Sequence, residues 1–310
     1  MSNPPEVWTF EALRAYEFNN AALWTLGFLK DKATAVFALP IIEEHDVPPV
    51  GLGTLLVIGG GALMDRAKYW RARNSPDTKL IVVPSIWGSG AENSRIAVLN
   101  DNGRKAIHVG VEYLPDVRAA WTELAQDIPE RLATYACGDV LAHALEGFLS
   151  PVGHDDTRLE MAGILNGIVK LPAGNDPAWF EFSARACAGQ AATSAGLVHG
   201  IAHTLEGLLH EKYPDRDIGH AQLCSTFLWP VFCLNMKHTD KIKTLFGQYG
   251  IETSRVIDLM KKLYDEELYR IALPILVEHW HRVLREPPSR TNCVLVRSSH
   301  IEHFKEGNFE

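Results

Sequence analysis

The stretch TLLVIGGGALMDRAK (54–68) constrains the fold more than any other. Six residues with no polar alternation suit a strand covered on both faces, which is the environment of a parallel sheet. Three glycines then let the backbone turn sharply, and ALMDRAKYWRARN (62–74) reads as a helix crossing back over the sheet. KLIVVPS (79–85) repeats the strand pattern, and ATAVFAL (33–39) is expected to supply another strand. RIAVLNDNGRKAIHVG (95–110) reads as a hairpin turning through Asn100-Asp101-Asn102-Gly103. From about residue 118 helical periodicity takes over and strand-like runs nearly vanish. The expected architecture is an α/β, Rossmann-like domain with a mostly parallel sheet over residues 1–117, followed by an all-helical domain over 118–310.

Bulk properties narrow the partners. The chain has 310 residues and a formal charge of -8 with no long basic run, so nucleic acid and anionic membranes find no electrostatic support. Its five cysteines are scattered, odd in number and never in a C-x-x-C pair, which argues for a reducing compartment. No charged-then-apolar leader opens the sequence, and no apolar run nears the ~20 residues of a membrane span. A cytoplasmic protein is expected.

The chemistry-bearing residues gather in a few places. Glycines between a strand and a helix N-terminus can cradle a phosphate, though TLLVIGGGALMDRAK is not a G-x-G-x-x-G fingerprint. A second small-residue loop, PSIWGSGAE (84–92), follows the next strand, and ligands in open α/β sheets collect at such strand ends. In CGDVLAHALEGF (137–148), Asp139 and His143 lie four apart and share a face of an otherwise apolar helix. His199 and His203 repeat that spacing in GLVHGIAHTLEGLLH, and His220 opens HAQLCSTFLWP. One buried histidine is usually structural, and Asp139 after Gly138 could simply cap a helix. Several together against apolar neighbours are hard to satisfy separately, whereas one divalent cation would satisfy them at once. Imidazoles with a carboxylate suit zinc or ferrous iron. There is no H-E-x-x-H, so a zinc protease is disfavoured.

In order, these segments resemble the iron-containing (group III) alcohol dehydrogenases, whose architecture is like that of dehydroquinate synthase. GGGALMDRAK resembles GGGS-x-x-D-x-AK, and PSIWGSGAE resembles PTT-x-GTGSE. PERLATYACGDVLAHALEGFLSP resembles P-x-x-x-x-A-x-G-x-DAL-x-HA-x-E. GLVHGIAHTLEG and HAQLCSTFLWPVFCLN resemble GL-x-HA-x-AH-x-x-G and HG-x-x-x-x-x-LLP-x-x-x-x-x-N. The resemblance implies a divalent metal (Fe2+ or Zn2+) on Asp139, His143, His199 and His220, with His203 off the metal as a proton relay. It implies NAD or NADP on Gly59, Gly60, Gly61 and Asp65, with Ser85, Ser89 and Lys105 lining the rest of the cofactor site. The implied activity is that of an NAD(P)-linked alcohol dehydrogenase or aldehyde reductase on a small polar substrate, as a homodimer.

Departures cluster on the cofactor side. Only 58 residues precede the glycine turn, shorter than is usual for the family. The strand expected to end in a ribose-binding acid ends in Ala38-Leu39-Pro40, the threonine pair has become Ser85-Ile86 beside Trp87, and an acid–proline pair is replaced by Trp121-Thr122. His210 lies between His199 and His220 as a rival fourth ligand. The alternative reading is therefore a divergent member that keeps the metal without nicotinamide. It would run non-redox carbonyl chemistry or a dehydroquinate synthase-like lyase or cyclase reaction.

Overall fold

The computed structural model describes residues 4–101 and 104–309. Its contacts divide the chain into two units, Met1–Ile128 and Pro129–Glu310.

In the first unit, strands β1 (Glu6–Trp8), β2 (Ala21–Thr25), β3 (Ile41–Ile42), β4 (Thr54–Gly59) and β5 (Lys79–Pro84) belong to one sheet. An antiparallel hairpin, β6 (Ile96–Asp101) and β7 (Arg104–Val109), stands apart from it, and β8 (Val117–Ala119) completes it. The order is β1-β8-β5-β4-β2-β3 and every pairing is parallel. The helices are α1 (Phe10–Ala15), α2 (Lys30–Val36) and α3 (Gly61–Asn74).

The unbroken apolar character of β4 follows from its place at the centre. Leu56 and Ile58 join a core with Leu13, Leu23, Phe37, Ile81 and Val83 on one face. Leu55 and Val57 meet Leu63, Met64, Trp70, Leu80 and Val82 on the other. Both faces need side chains, so alternation disappears.

Two expectations change here. Residues 33–39 are not a strand: Lys30–Val36 is helical and runs into a loop, and the strand beside β4 is the unforeseen Ala21–Thr25. Only Ala33 and Phe37, four apart, are fully buried in the 33–39 stretch, a helical spacing hidden in an apolar run. The strand next to the glycine turn thus ends in Thr25-Leu26-Gly27, again without a carboxylate. The boundary between units also falls later than 117/118. Val117–Ala119 is a sheet strand, and Trp121 and Leu124 after it pack into the sheet core.

Helix α3 is tied down by buried ions. Lys68, fully buried, donates from Nζ to Asp65 Oδ1 at 2.8 Å, to the Ala91 carbonyl at 3.1 Å and to the Ile96 carbonyl. The other Asp65 oxygen accepts the Val98 N–H at 3.0 Å, fixing the hairpin to the helix. Arg71 reaches Asp116 at 2.8 Å, and Asp116 also accepts the Leu80 N–H at 2.7 Å.

The second unit contains α4 (Glu130–Leu149), α5 (Asp155–Ile168), α6 (Ala178–Thr193), α7 (Leu197–Lys212) and α8 (His220–His238). These are followed by α9 (Lys241–Tyr249), α10 (Thr253–Leu263), α11 (Glu266–Val283), α12 (Pro287–Arg290) and α13 (Ile301–Glu306). Among the described residues no helix is long and apolar enough to cross a membrane. α4 is central, packing against α5, α6 and α8, and is buried almost continuously from Ala136 to Leu149. It touches α8 at Gly138, where a Cβ would lie 2.5 Å from Ser225 Cβ and 2.7 Å from its Cα. Only glycine allows that approach.

Asp265 joins three of these helices. Oδ1 caps α11 by accepting the Leu268 N–H at 2.9 Å, while Oδ2 accepts from Tyr135 of α4 at 2.7 Å and Gln222 of α8 at 3.2 Å. Burial pushes this carboxyl up, but the Leu268 N–H, Tyr135, Gln222 and Arg131 together hold it below its usual range.

Two outcomes are expected. Asp65→Ala strands the Lys68 ammonium in the core and should cost about 3–5 kcal/mol, read as a lower denaturant midpoint. Because the folded pKa of Asp265 is depressed, its stabilisation is present above the unfolded carboxylate pKa of about 3.9 and disappears as pH falls through the folded value. Thermal melts between pH 6 and roughly pH 3 should therefore show a smaller acid-induced drop in Asp265→Asn than in the parent.

Candidate metal centre

Three helices of the second unit supply one cluster. α4 carries Asp139, His143 and Glu146 at i, i+4 and i+7, hence on one face. His199 lies in the first turn of α7, and His220 begins α8 with Cys224 one turn on. The close contact at Gly138 sets the neighbouring Asp139 against α8. Donor atoms of Asp139, His199, His220 and Cys224 all lie within 4.8 Å of one another.

The orientation of the His199 ring follows from the carboxylate behind it. Glu146 Oε1 accepts the Val198 N–H at 2.6 Å, near the start of α7, and Oε2 meets His199 Nδ1 at 2.6 Å. With Nδ1 protonated toward Glu146, Nε2 of His199 presents its lone pair 3.7 Å from Asp139 Oδ1. Glu206 stands 3.5 Å from His220 Nδ1, leaving the opposite nitrogen, Nε2, 3.6 Å from Cys224 Sγ. A carboxylate hydrogen-bonded to Nδ1 that turns Nε2 inward, as Glu146 does for His199, is an arrangement found in metal-binding histidines.

Asp139 is 2% exposed, and its buried Oδ1 has no hydrogen-bond partner among the described residues. Burial pushes its carboxyl up, but His143, His220, His199 and the Cys224 thiol together bring it below the usual range. An acid kept ionised yet short of donors fits a divalent cation. The donor set suits one, with three hard or borderline ligands and a thiol.

His143 and His203 flank this cluster, and His210 does not. His143 is buried, its ring stacked on His199 at 4.7 Å and Nε2 4.0 Å from Asp139 Oδ1. It stands at the edge of the tightest donor set. His203 stacks on His220 at 5.2 Å, with Nδ1 4.0 Å from Glu286, a carboxyl that burial raises. His210, in the last turn of α7, is exposed and outside the cluster.

In the first unit, the glycine turn and the following loop are neighbours. The Gly59 carbonyl accepts from Ser85 N–H at 2.9 Å, and a side chain on Gly61 would overlap Ser89 Oγ. Gly60 precedes α3 without a side-chain cap, so the first N–H groups of that helix face outward beside exposed Ser89. Trp87 is buried. Asp65 has both oxygens engaged by Lys68 and Val98. Lys105 is the second residue of β7, opposite Asn100, and its side chain, like Asn102 and Gly103 of the expected turn, lies outside the described residues.

Sequence reasoning missed Glu146, Glu206 and Cys224. The signal for Glu146 was its phase with Asp139 and His143; for Cys224, its four-residue distance from His220. Glu206 had only the three-residue step from His203.

No family model matches the sequence. Among curated proteins it is 28% identical over 187 residues to the probable alcohol dehydrogenase EutG of Escherichia coli K12, covering 52% of this chain and 47% of that one. It is 23% identical over 298 residues to an NADPH-dependent butanol dehydrogenase of Clostridium saccharobutylicum, covering 82% and 75%. The chain spans about half the length of the curated relatives it matches first. An iron-containing alcohol dehydrogenase from Corynebacterium glutamicum shares the fold, with a TM-score of 0.76 at 18% identity over 98% of this chain and 94% of that one. The chain has the fold of the iron-containing alcohol dehydrogenases. A maleylacetate reductase from Agrobacterium tumefaciens shares that fold as well, at TM-score 0.77 and 17% identity over 99% and 96%.

Glu146→Ala removes the group that turns His199 toward Asp139. Loss of such an outer partner should weaken zinc retention about 10–100-fold in a chelator competition while leaving the helical circular dichroism unchanged.

Proposed function

We propose that this chain is a member of the iron-containing alcohol dehydrogenase family and a metal-dependent, NAD(P)-linked dehydrogenase of small polar alcohols, working in reverse as an aldehyde reductase. The observation that carries the reading is the convergence of donor atoms of Asp139, His199, His220 and Cys224 within 4.8 Å of one another, with Glu146 behind the His199 ring. The alcohol dehydrogenase names of the curated relatives support the reaction class.

Asp139, His199 and His220 would hold the ion, with His143 beside them. A zinc or ferrous ion held there would supply Lewis acidity, and a bound nicotinamide would supply hydride chemistry. Asp139 stays ionised to bind, and Glu146 keeps Nε2 of His199 facing inward. His203, partly exposed and 4.0 Å from Glu286, would accept the alcohol proton at a ring nitrogen and pass it on. Gly59, Gly60 and Gly61 would receive the pyrophosphate at the start of α3, with Ser85 and Ser89 alongside. The resemblance further supports a homodimer, and the scattered cysteines a cytoplasmic location.

A second reading, metal chemistry without nicotinamide, has its own support. Asp65 is spent on Lys68 and Val98, and the strand beside the glycine turn ends in Thr25-Leu26-Gly27. The two separate in one experiment on the metal-loaded protein, following nicotinamide fluorescence during NADH and NADPH titration and alcohol-dependent reduction of either nucleotide. The dehydrogenase reading expects saturable binding of at least one nucleotide and turnover that His199→Ala abolishes. Stoichiometric metal with no response to either nucleotide establishes the second reading.

A further inference from the structure

Cys224 occupies a position that neither the metal-ligand motif nor the proposed mechanism uses. It sits one turn after His220 on α8 and so shares that face of the helix. Its residue is fully buried, and Sγ lies 3.6 Å from His220 Nε2. Sγ also lies within 4.8 Å of a carboxylate oxygen of Asp139 and a ring nitrogen of His199. Asp139 Oδ1 remains buried and without a hydrogen bond beside it.

The spacing matches coordination. An ion with bonds of ~2.0–2.2 Å to nitrogen and oxygen and ~2.3 Å to sulfur has tetrahedral donor–donor edges of roughly 3.3–3.7 Å. Cys224 Sγ to His220 Nε2 is 3.6 Å, and His199 Nε2 to Asp139 Oδ1 is 3.7 Å. His143 Nε2 is farther from Asp139 Oδ1, at 4.0 Å. The compact donor set is thus Asp139, His199, His220 and Cys224.

We infer that Cys224 is a direct ligand of the metal, making this centre a mixed carboxylate, imidazole and thiolate site. The inference rests on the metal reading above and changes its chemistry. On binding, the Sγ proton leaves to solvent and a metal–sulfur bond forms. A thiolate softens the site and tilts selection toward zinc and away from ferrous iron.

Cobalt(II) loaded into the full chain in place of the native ion tests this without reference to activity. The expected result is one cobalt per chain, visible ligand-field bands, and a near-ultraviolet thiolate-to-cobalt charge-transfer band that disappears in Cys224→Ser. Zinc retention in that variant should fall by more than the ~10–100-fold typical of losing an outer-shell partner. X-ray absorption of the zinc-loaded parent should show one sulfur scatterer at about 2.3 Å, which stands even if the variant does not fold. Ligand-field bands with no charge-transfer band, or a zinc shell of nitrogen and oxygen alone, overturns the inference and leaves the metal site intact. Failure of the parent to bind cobalt or zinc overturns both.

Discussion

A carboxylate sealed inside a helical bundle is the costliest feature of this molecule, and the arrangement of the second unit is organised around satisfying it. Asp139 sits on the helix that is itself buried nearly end to end, where water cannot solvate its charge. Three imidazoles and a thiol surround it, and they come from three helices. Apolar packing alone gives no reason to bring those groups together. The shared cation proposed above would.

The scaffold supports that convergence at close quarters. Gly138 lets α4 and α8 approach until Ser225 blocks any larger residue, and the next position on α4 is Asp139. Glu146, two turns along the same face, receives an N–H at the start of α7 and the His199 ring together. One carboxylate thus anchors a helix end and sets a ring orientation. Asp265 does comparable work away from the cluster, linking Tyr135 of α4 and Gln222 of α8 to the cap of α11.

The first unit solves a different problem with the same materials. Its six parallel strands leave both sheet faces to be covered, and the buried Lys68–Asp65 pair, with Arg71 bound to the exposed Asp116, holds α3, the hairpin and the last strand in register. Asp65 had looked like a cofactor contact because of the motif around it. Its two oxygens instead serve Lys68 and the Val98 N–H, an allocation visible only when the hairpin is folded against the helix.

What the sequence determined by itself was local and periodic. Continuous apolar runs at 54–59 and 79–84 required a doubly covered parallel sheet, and four-residue spacings placed Asp139 with His143 and His199 with His203 on helical faces. It misled where periodicity was ambiguous: ATAVFAL is equally apolar as strand or helix, and only the burial of Ala33 and Phe37 decides for the helix. Tertiary structure alone decided which distant groups share a neighbourhood. Cys224 joins Asp139 across 85 positions because two helices cross at a glycine, while His210, the rival ligand by sequence, is exposed. Spacing reports one helix face; the crossing of helices sets which faces meet.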